Sequence, residues 1–143
     1  MGSPLTAQLW RILLVDDEVN QLMILKSGLA KLPNCEVTVA ADGYQALSLF
    51  TQQVFDLLIT DYHMPKMDGL TLAAAVRHQY PSMPIIMLTA FGDEILNAQA
   101  NAGLIQLVLE KPIDIKYIRL AAVRVLDQAV VPDQVELNPP GQE

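Results

Sequence analysis

Five short apolar runs punctuate this chain, and between them the hydrophobic positions recur every three or four residues. Arg11-Ile12-Leu13-Leu14-Val15 is continuous rather than alternating, the signature of a strand buried on both faces. Leu22, Leu25, Leu29 and Leu32 then follow at helical spacing until Pro33-Asn34 stops them. Cys35 to Ala40 alternates and predicts a second strand, and Asp42-Gly43 turns the chain into a helix carrying Ala46, Leu47 and Phe50. A third strand over 56–60 leads to a helix over 70–79, terminated by Pro81, with Asp68 as its N-cap. A fourth strand over 84–88 precedes a helix over 93–101 with Gly103 as its stop. A fifth strand over 104–109 and a helix over 113–126 complete the pattern. Five strand–helix units with short connections predict an α/β domain, a doubly wound parallel sheet with helices on both faces.

The polar residues that break this pattern fall at one kind of place. Asp16-Asp17 follow the first strand, Asp61 the third, Thr89 the fourth and Lys111-Pro112 the fifth. In an open α/β sheet the C-terminal strand edge is where ligands bind. Three carboxylates brought together repel, which raises their proton affinity unless a cation neutralises them. A small hard ion such as Mg²⁺ suits them, since it takes oxygen ligands and keeps several waters. Asp16-Asp17-Glu18 also suits a helix N-terminus, where acids favour the macrodipole; both readings hold if Asp16 and Asp17 bind metal while Glu18 caps. Asp61 is the candidate nucleophile, able to form an acyl phosphate; the alternative is a strand-end cap. Thr89 offers a hydroxyl and Lys111 a compact charge to a phosphoryl group. Each is weak alone, and the weight lies in their joint occurrence at strand ends. Pro112 permits a cis bond that would aim Lys111 inward.

Composition removes most competing classes. The 143 residues allow one domain, and 52% hydrophobic content is ample for its core. A net charge of −7, with scattered basic residues, argues against a nucleic-acid surface. Lone Cys35 excludes an internal disulfide and a cysteine-built zinc site, and fits a reducing, cytoplasmic setting. No apolar run approaches the ~18 residues of a membrane span. The glycines form no nucleotide-binding loop, His63 and His78 lack metal-like spacing, and no serine sits in a nucleophile elbow. Residues 1–9 read as an N-terminal extension or cloning remnant, 10–126 as the folded domain, and 127–143 as a Pro-containing linker or tail.

Val15-Asp16-Asp17-Glu18, the run from Asp61 through His63-Met64-Pro65 to Met67-Asp68-Gly69, Thr89-Ala90 and Lys111-Pro112 together resemble the receiver domain of bacterial two-component response regulators, over about 11–126. The resemblance implies a flavodoxin-like sheet of order 2-1-3-4-5 with five helices. It implies that Asp61 accepts a phosphoryl group from the phosphohistidine of a sensor histidine kinase or phosphotransfer protein, with Mg²⁺ held by Asp16, Asp17, Asp61 and the His63 backbone carbonyl. Thr89 and Lys111 would contact the phosphoryl group and alter binding of a downstream partner. Such a domain acts only on itself and is not otherwise an enzyme. Two features depart from the family. Val108 stands where an aromatic switch residue is usual, and the uncharged fifth strand predicts no salt-bridged dimer. That apolar strand is either a partner surface or, the preferred reading, buried beneath helices. Asp17-Glu18-Val19-Asn20-Gln21 and Lys111-Pro112-Ile113-Asp114 resemble receivers fused to hybrid sensor kinases, with a free-standing regulator as the other possibility. Two rival functions remain. An aspartyl-nucleophile phosphatase would need an acid two residues after Asp61, where His63 stands. A pseudo-receiver, binding partners without phosphorylation, would not need the intact acidic set.

Overall fold

A computed structural model describes residues 8–90, 97–98, 100 and 102–130. Its strands are β1 (Trp10–Val15), β2 (Cys35–Ala40), β3 (Leu57–Asp61), β4 (Ile85–Thr89) and β5 (Leu107–Glu110). All pair in parallel in one sheet of order β2-β1-β3-β4-β5. The described helices are α1 (Val19–Leu29), α2 (Gly43–Phe50), α3 (Gly69–Gln79) and α4 (Ile115–Val130). The helix expected over 93–101 lies mostly outside the described residues, of which 97, 98 and 100 are helical. Among the described residues no helix is long and apolar enough to cross a membrane.

The continuous apolar runs are explained by two cores. Leu13, Val15, Leu58, Ile85 and Met87 point to one face and pack with Ala46, Phe50, Leu72 and Val76 of α2 and α3. Their alternates Ile12, Leu14, Leu57, Ile59 and Ile86 point to the other, against Leu22, Leu25 and Leu29 of α1 and Ile118, Ala122 and Val125 of α4. A period of two along β1, β3 and β4 thus fills both faces and leaves little room for exposed polar residues before the strand ends, whereas β2 at the sheet edge exposes Glu36. On the second face α1 and α4 touch closely at Gly28, where a Cβ would collide with Ile115. The Arg119 guanidinium donates to the Gly28 carbonyl at 3.2 Å across that seam.

Two caps follow the local rules. The carboxylate of Asp42 accepts the Gln45 N–H at 2.8 Å and starts α2, and that of Asp68 accepts the Thr71 N–H at 2.8 Å and starts α3. Glu18 corrects an expectation: it is the N-cap residue of α1, but its side chain caps nothing. Its own N–H instead donates to Asp16 Oδ1 at 3.0 Å. The fifth strand also shifts, to 107–110, and so contains one charge, Glu110. Residues 104–106 are held from the side: Arg77 donates to the Leu104 carbonyl at 2.8 Å, and the Gln106 side-chain oxygen accepts the Ile85 N–H at 2.7 Å. Leu109 is buried, and Leu107 and Val108 pack against the two cores, so burial accounts for the apolar character of this strand. The last helix runs through Val130, past the expected boundary at 126.

Candidate metal and phosphoryl site

Strand register sets the site. Val15 pairs with Thr60, Asp61 with Leu88 and Thr89 with Glu110. Asp16, Asp61, Thr89 and Lys111 therefore all arrive at the C-terminal edge of neighbouring strands. Asp61 ends β3, 6% exposed, with the Tyr62 N–H behind it bonded to the Leu88 carbonyl at 2.8 Å. Asp16 is more deeply buried, at 1%. Thr89 is fully buried, and its carbonyl accepts the Lys111 N–H at 2.6 Å, fixing where the lysine leaves β5. The Lys111–Pro112 peptide is cis.

Lys111 is the counter-ion of the acids. Its Nζ lies 2.7 Å from Asp61 Oδ1 and 3.8 Å from Asp16 Oδ2. Burial alone would lower its proton affinity, but the hydrogen bond and charge of Asp61, with Asp16 and Glu18, outweigh burial and hold the ammonium above the ordinary lysine range. Asp16 goes the other way for a carboxylate. Burial pushes its pKa up, the Glu18 N–H and Lys111 pull it back, and Asp61 and Asp17 raise it again, leaving a net rise.

Asp16, Asp17 and Asp61 each bring a carboxylate oxygen within 4.8 Å of the other two. Asp16 Oδ2 is buried with no hydrogen-bond partner. A buried carboxylate oxygen facing two further acids needs a cation, so this donor set fits a small divalent ion of the Mg²⁺ class. His63, whose carbonyl the resemblance adds to the ligands, turns its side chain to solvent, with its ring 4.4 Å from that of Tyr62.

The raised Asp16 pKa has a consequence for stability. An acid whose folded pKa exceeds its unfolded one stabilises the fold below the unfolded value and loses that contribution as pH rises through the folded value. Metal-free Asp16→Asn should therefore melt a few degrees higher than wild type at neutral pH, and the gap should close on acidification. Thermal melts across pH in EDTA measure it.

Sequence reasoning missed one requirement. A Cβ on Gly69 would collide with the Asp61 carbonyl and approach Met87 Sδ to 2.8 Å. The Asp68-Gly69 pair signalled a helix start, and nothing local signals that the same glycine abuts the end of β3 at Asp61.

The chain matches the family described as the response regulator receiver domain over residues 12–123. It is 36% identical over 113 residues to the probable chemotaxis protein CheY of Rhizobium etli, covering 78% of this chain and 88% of that protein. It is 46% identical over 90 residues to the sensor protein EvgS of Escherichia coli K12, covering 63% of this chain but only 7% of that much longer relative. Among solved structures, the signal receiver domain of an HD domain-containing protein from Pseudomonas fluorescens Pf-5 superposes with a TM-score of 0.79 at 36% identity, covering 87% of this chain and 99% of that one. The fold, the strand-end acids and these likenesses agree: the chain belongs to the response regulator receiver domain family.

Proposed function

We propose that this chain is a Mg²⁺-dependent phosphoacceptor switch in a two-component phosphorelay, working in the cytoplasm. One observation supports it above the others: a buried aspartate at a strand end, paired at 2.7 Å with a half-buried lysine, stands beside a buried carboxylate oxygen that lacks a hydrogen-bond partner. An Asp61 oxygen attacks the phosphorus of a phosphohistidine, the P–N bond breaks, and the histidine nitrogen leaves with its electron pair and takes up a proton. Asp16, Asp17, Asp61 and the His63 carbonyl would hold Mg²⁺, which would offset charge on the phosphoryl oxygens. Lys111 exchanges its contact with Asp61 for one with a phosphoryl oxygen, and the Thr89 hydroxyl donates to another, changing what the nearby loops present to a downstream partner. The chain catalyses only its own phosphorylation and dephosphorylation.

A protein donor suits the surroundings. A groove of about 490 Å³ opens beside Lys111, lined by Ile24 of α1, Ala90, Pro112, Ile113 and Ile115. Val19, Met23 and Ile24 are exposed on the adjoining face of α1. A sensor histidine kinase or phosphotransfer protein reaching Asp61 would cover these apolar residues. Ile24→Asp should slow transfer from such a donor at least about tenfold, the scale of one interface anchor. Its phosphorylation by acetyl phosphate should be unchanged.

Intact mass after incubation with acetyl phosphate and Mg²⁺ tests the core of this reading. One phosphoryl increment is expected, absent in EDTA and absent in Asp61→Asn. A folded, Mg²⁺-loaded wild type that gains nothing from either acetyl phosphate or a phosphohistidine protein would favour the pseudo-receiver.

A further inference from the structure

The loop leaving Asp61, residues 62–68, is held at its base and at its tip. At the base the Gly69 N–H donates to the Tyr62 carbonyl at 2.8 Å. At the tip the Met67 N–H donates to the Pro65 carbonyl at 2.7 Å, a three-residue turn centred on Lys66, whose φ is 73°. A non-glycine residue there is strained, and persists only where surrounding contacts hold it. Those contacts come from the start of α2. Lys66 Nζ is 3.9 Å from Asp42 Oδ2, an exposed pair of little strength. Met67 does more: a Cβ on Gly43 would lie 2.5 Å from Met67 Sδ and 3.1 Å from its Cβ and Cγ, so the thioether rests directly on the glycine backbone. Asp42, the residue before that glycine, caps α2 by accepting the Gln45 N–H.

We propose that the seating of Met67 on Gly43 is a latch that shapes the 62–68 loop for metal binding. Met67 touches neither metal nor phosphoryl group and is a positioning residue, acting through the backbone that carries the His63 carbonyl. The inference rests on the metal site proposed above. Mg²⁺ demands near-ideal octahedral geometry, so a small displacement of one carbonyl ligand weakens binding.

Calorimetric titration of the full chain with Mg²⁺ tests it, on wild type, Met67→Ala, Met67→Leu, Gly43→Ala and the Gly43→Ala/Met67→Ala double variant. Gly28→Ala, which strains the α1–α4 seam on the opposite face of the sheet, controls for general destabilisation. Met67→Ala and Gly43→Ala should each raise the Mg²⁺ Kd roughly fivefold, about 1 kcal/mol. Met67→Leu should stay within about twofold, because the volume is conserved. Adding Gly43→Ala to Met67→Ala should weaken binding no further, since the two act through one contact. Gly28→Ala should melt lower with an unchanged Kd. Gly43→Ala reports on the latch even if Met67→Ala fails to fold. Equal Kd values for wild type, Met67→Ala and Gly43→Ala, or additive effects in the double variant, would overturn the latch alone. Absence of Mg²⁺ binding by wild type would overturn the metal site and the latch with it.

Discussion

Gly69→Ala should destabilise the protein by about 2–3 kcal/mol and cripple phosphorylation at Asp61, although alanine is the better helix former. Two opposing effects decide the sign. Replacing glycine in a helix gains up to about 1 kcal/mol, and less at a first position. Against this, the new methyl meets the Asp61 carbonyl, which is backbone and cannot rotate away, and the Met87 thioether at 2.8 Å. Overpacking of this kind costs typically about 1–3 kcal/mol where side chains can yield. Here the Asp61 carbonyl is fixed further by the Thr60 hydroxyl, which donates to it at 3.0 Å. Either the end of β3 or the start of α3 must move, and the first displaces Asp61 from Lys111. Urea denaturation should show a lower midpoint with an unchanged slope. An unaltered midpoint would mean that the close approach is relieved at no cost.

Lys111→Ala should lower the stability of the metal-free protein by about 2–3 kcal/mol, and Mg²⁺ should restore most of the loss. Removing one member of a buried pair leaves the other charge uncompensated, typically at about 3–5 kcal/mol. The Lys111 side chain is 22% exposed, so the cost falls at or just below the bottom of that range, while those of Asp61 and Asp16 are nearly enclosed at 9% and 2%. The ammonium also competes with any metal for the same oxygens. Its loss should therefore tighten Mg²⁺ binding and enlarge the thermal shift that Mg²⁺ produces. The pH dependence has a definite sign. Because the folded Lys111 pKa is raised, its stabilisation is fully present through neutral pH and is lost only in alkali, as pH rises through that folded value. The metal-free variant should instead lose stability as pH rises through the carboxylate range. Melts with and without Mg²⁺ across pH check both parts.

β1, β3 and β4 were legible because burial on both faces keeps them apolar up to the sheet edge, and β2 because its exposed Glu36 gives the alternation of an edge strand. The cap of α3 was legible because Asp68 acts on a residue three positions away, and Asp42-Gly43 marked the turn into α2. What escaped depends on residues distant in sequence. The start of β5 shifted because side chains take over part of the pairing there: Arg77 holds the Leu104 carbonyl and the Gln106 side chain takes the Ile85 N–H, while the Gln106 N–H still bonds the Ile85 carbonyl. Glu18 is the N-cap residue of α1 without a capping side-chain bond, and its own N–H is held by Asp16, which turns back into the site. The site residues Asp16, Asp17, Asp61, Thr89 and Lys111 could be named from their positions after strands. Their pairing could not, since only the register shows that Lys111 reaches Asp61 across the edge. The glycine contacts at 43 and 69 had no local signal, because they depend on which backbone lies opposite.

Asp61, among three clustered acids, is the proposed carrier of the phosphoryl group. Chemical localisation tests it most directly: phosphorylation with acetyl phosphate and Mg²⁺, borohydride reduction of the acyl phosphate to an alcohol, then digestion and mass spectrometry. The account predicts homoserine at position 61 and aspartate retained at positions 16 and 17. Reduction at either of those neighbours with Asp61 intact would contradict it.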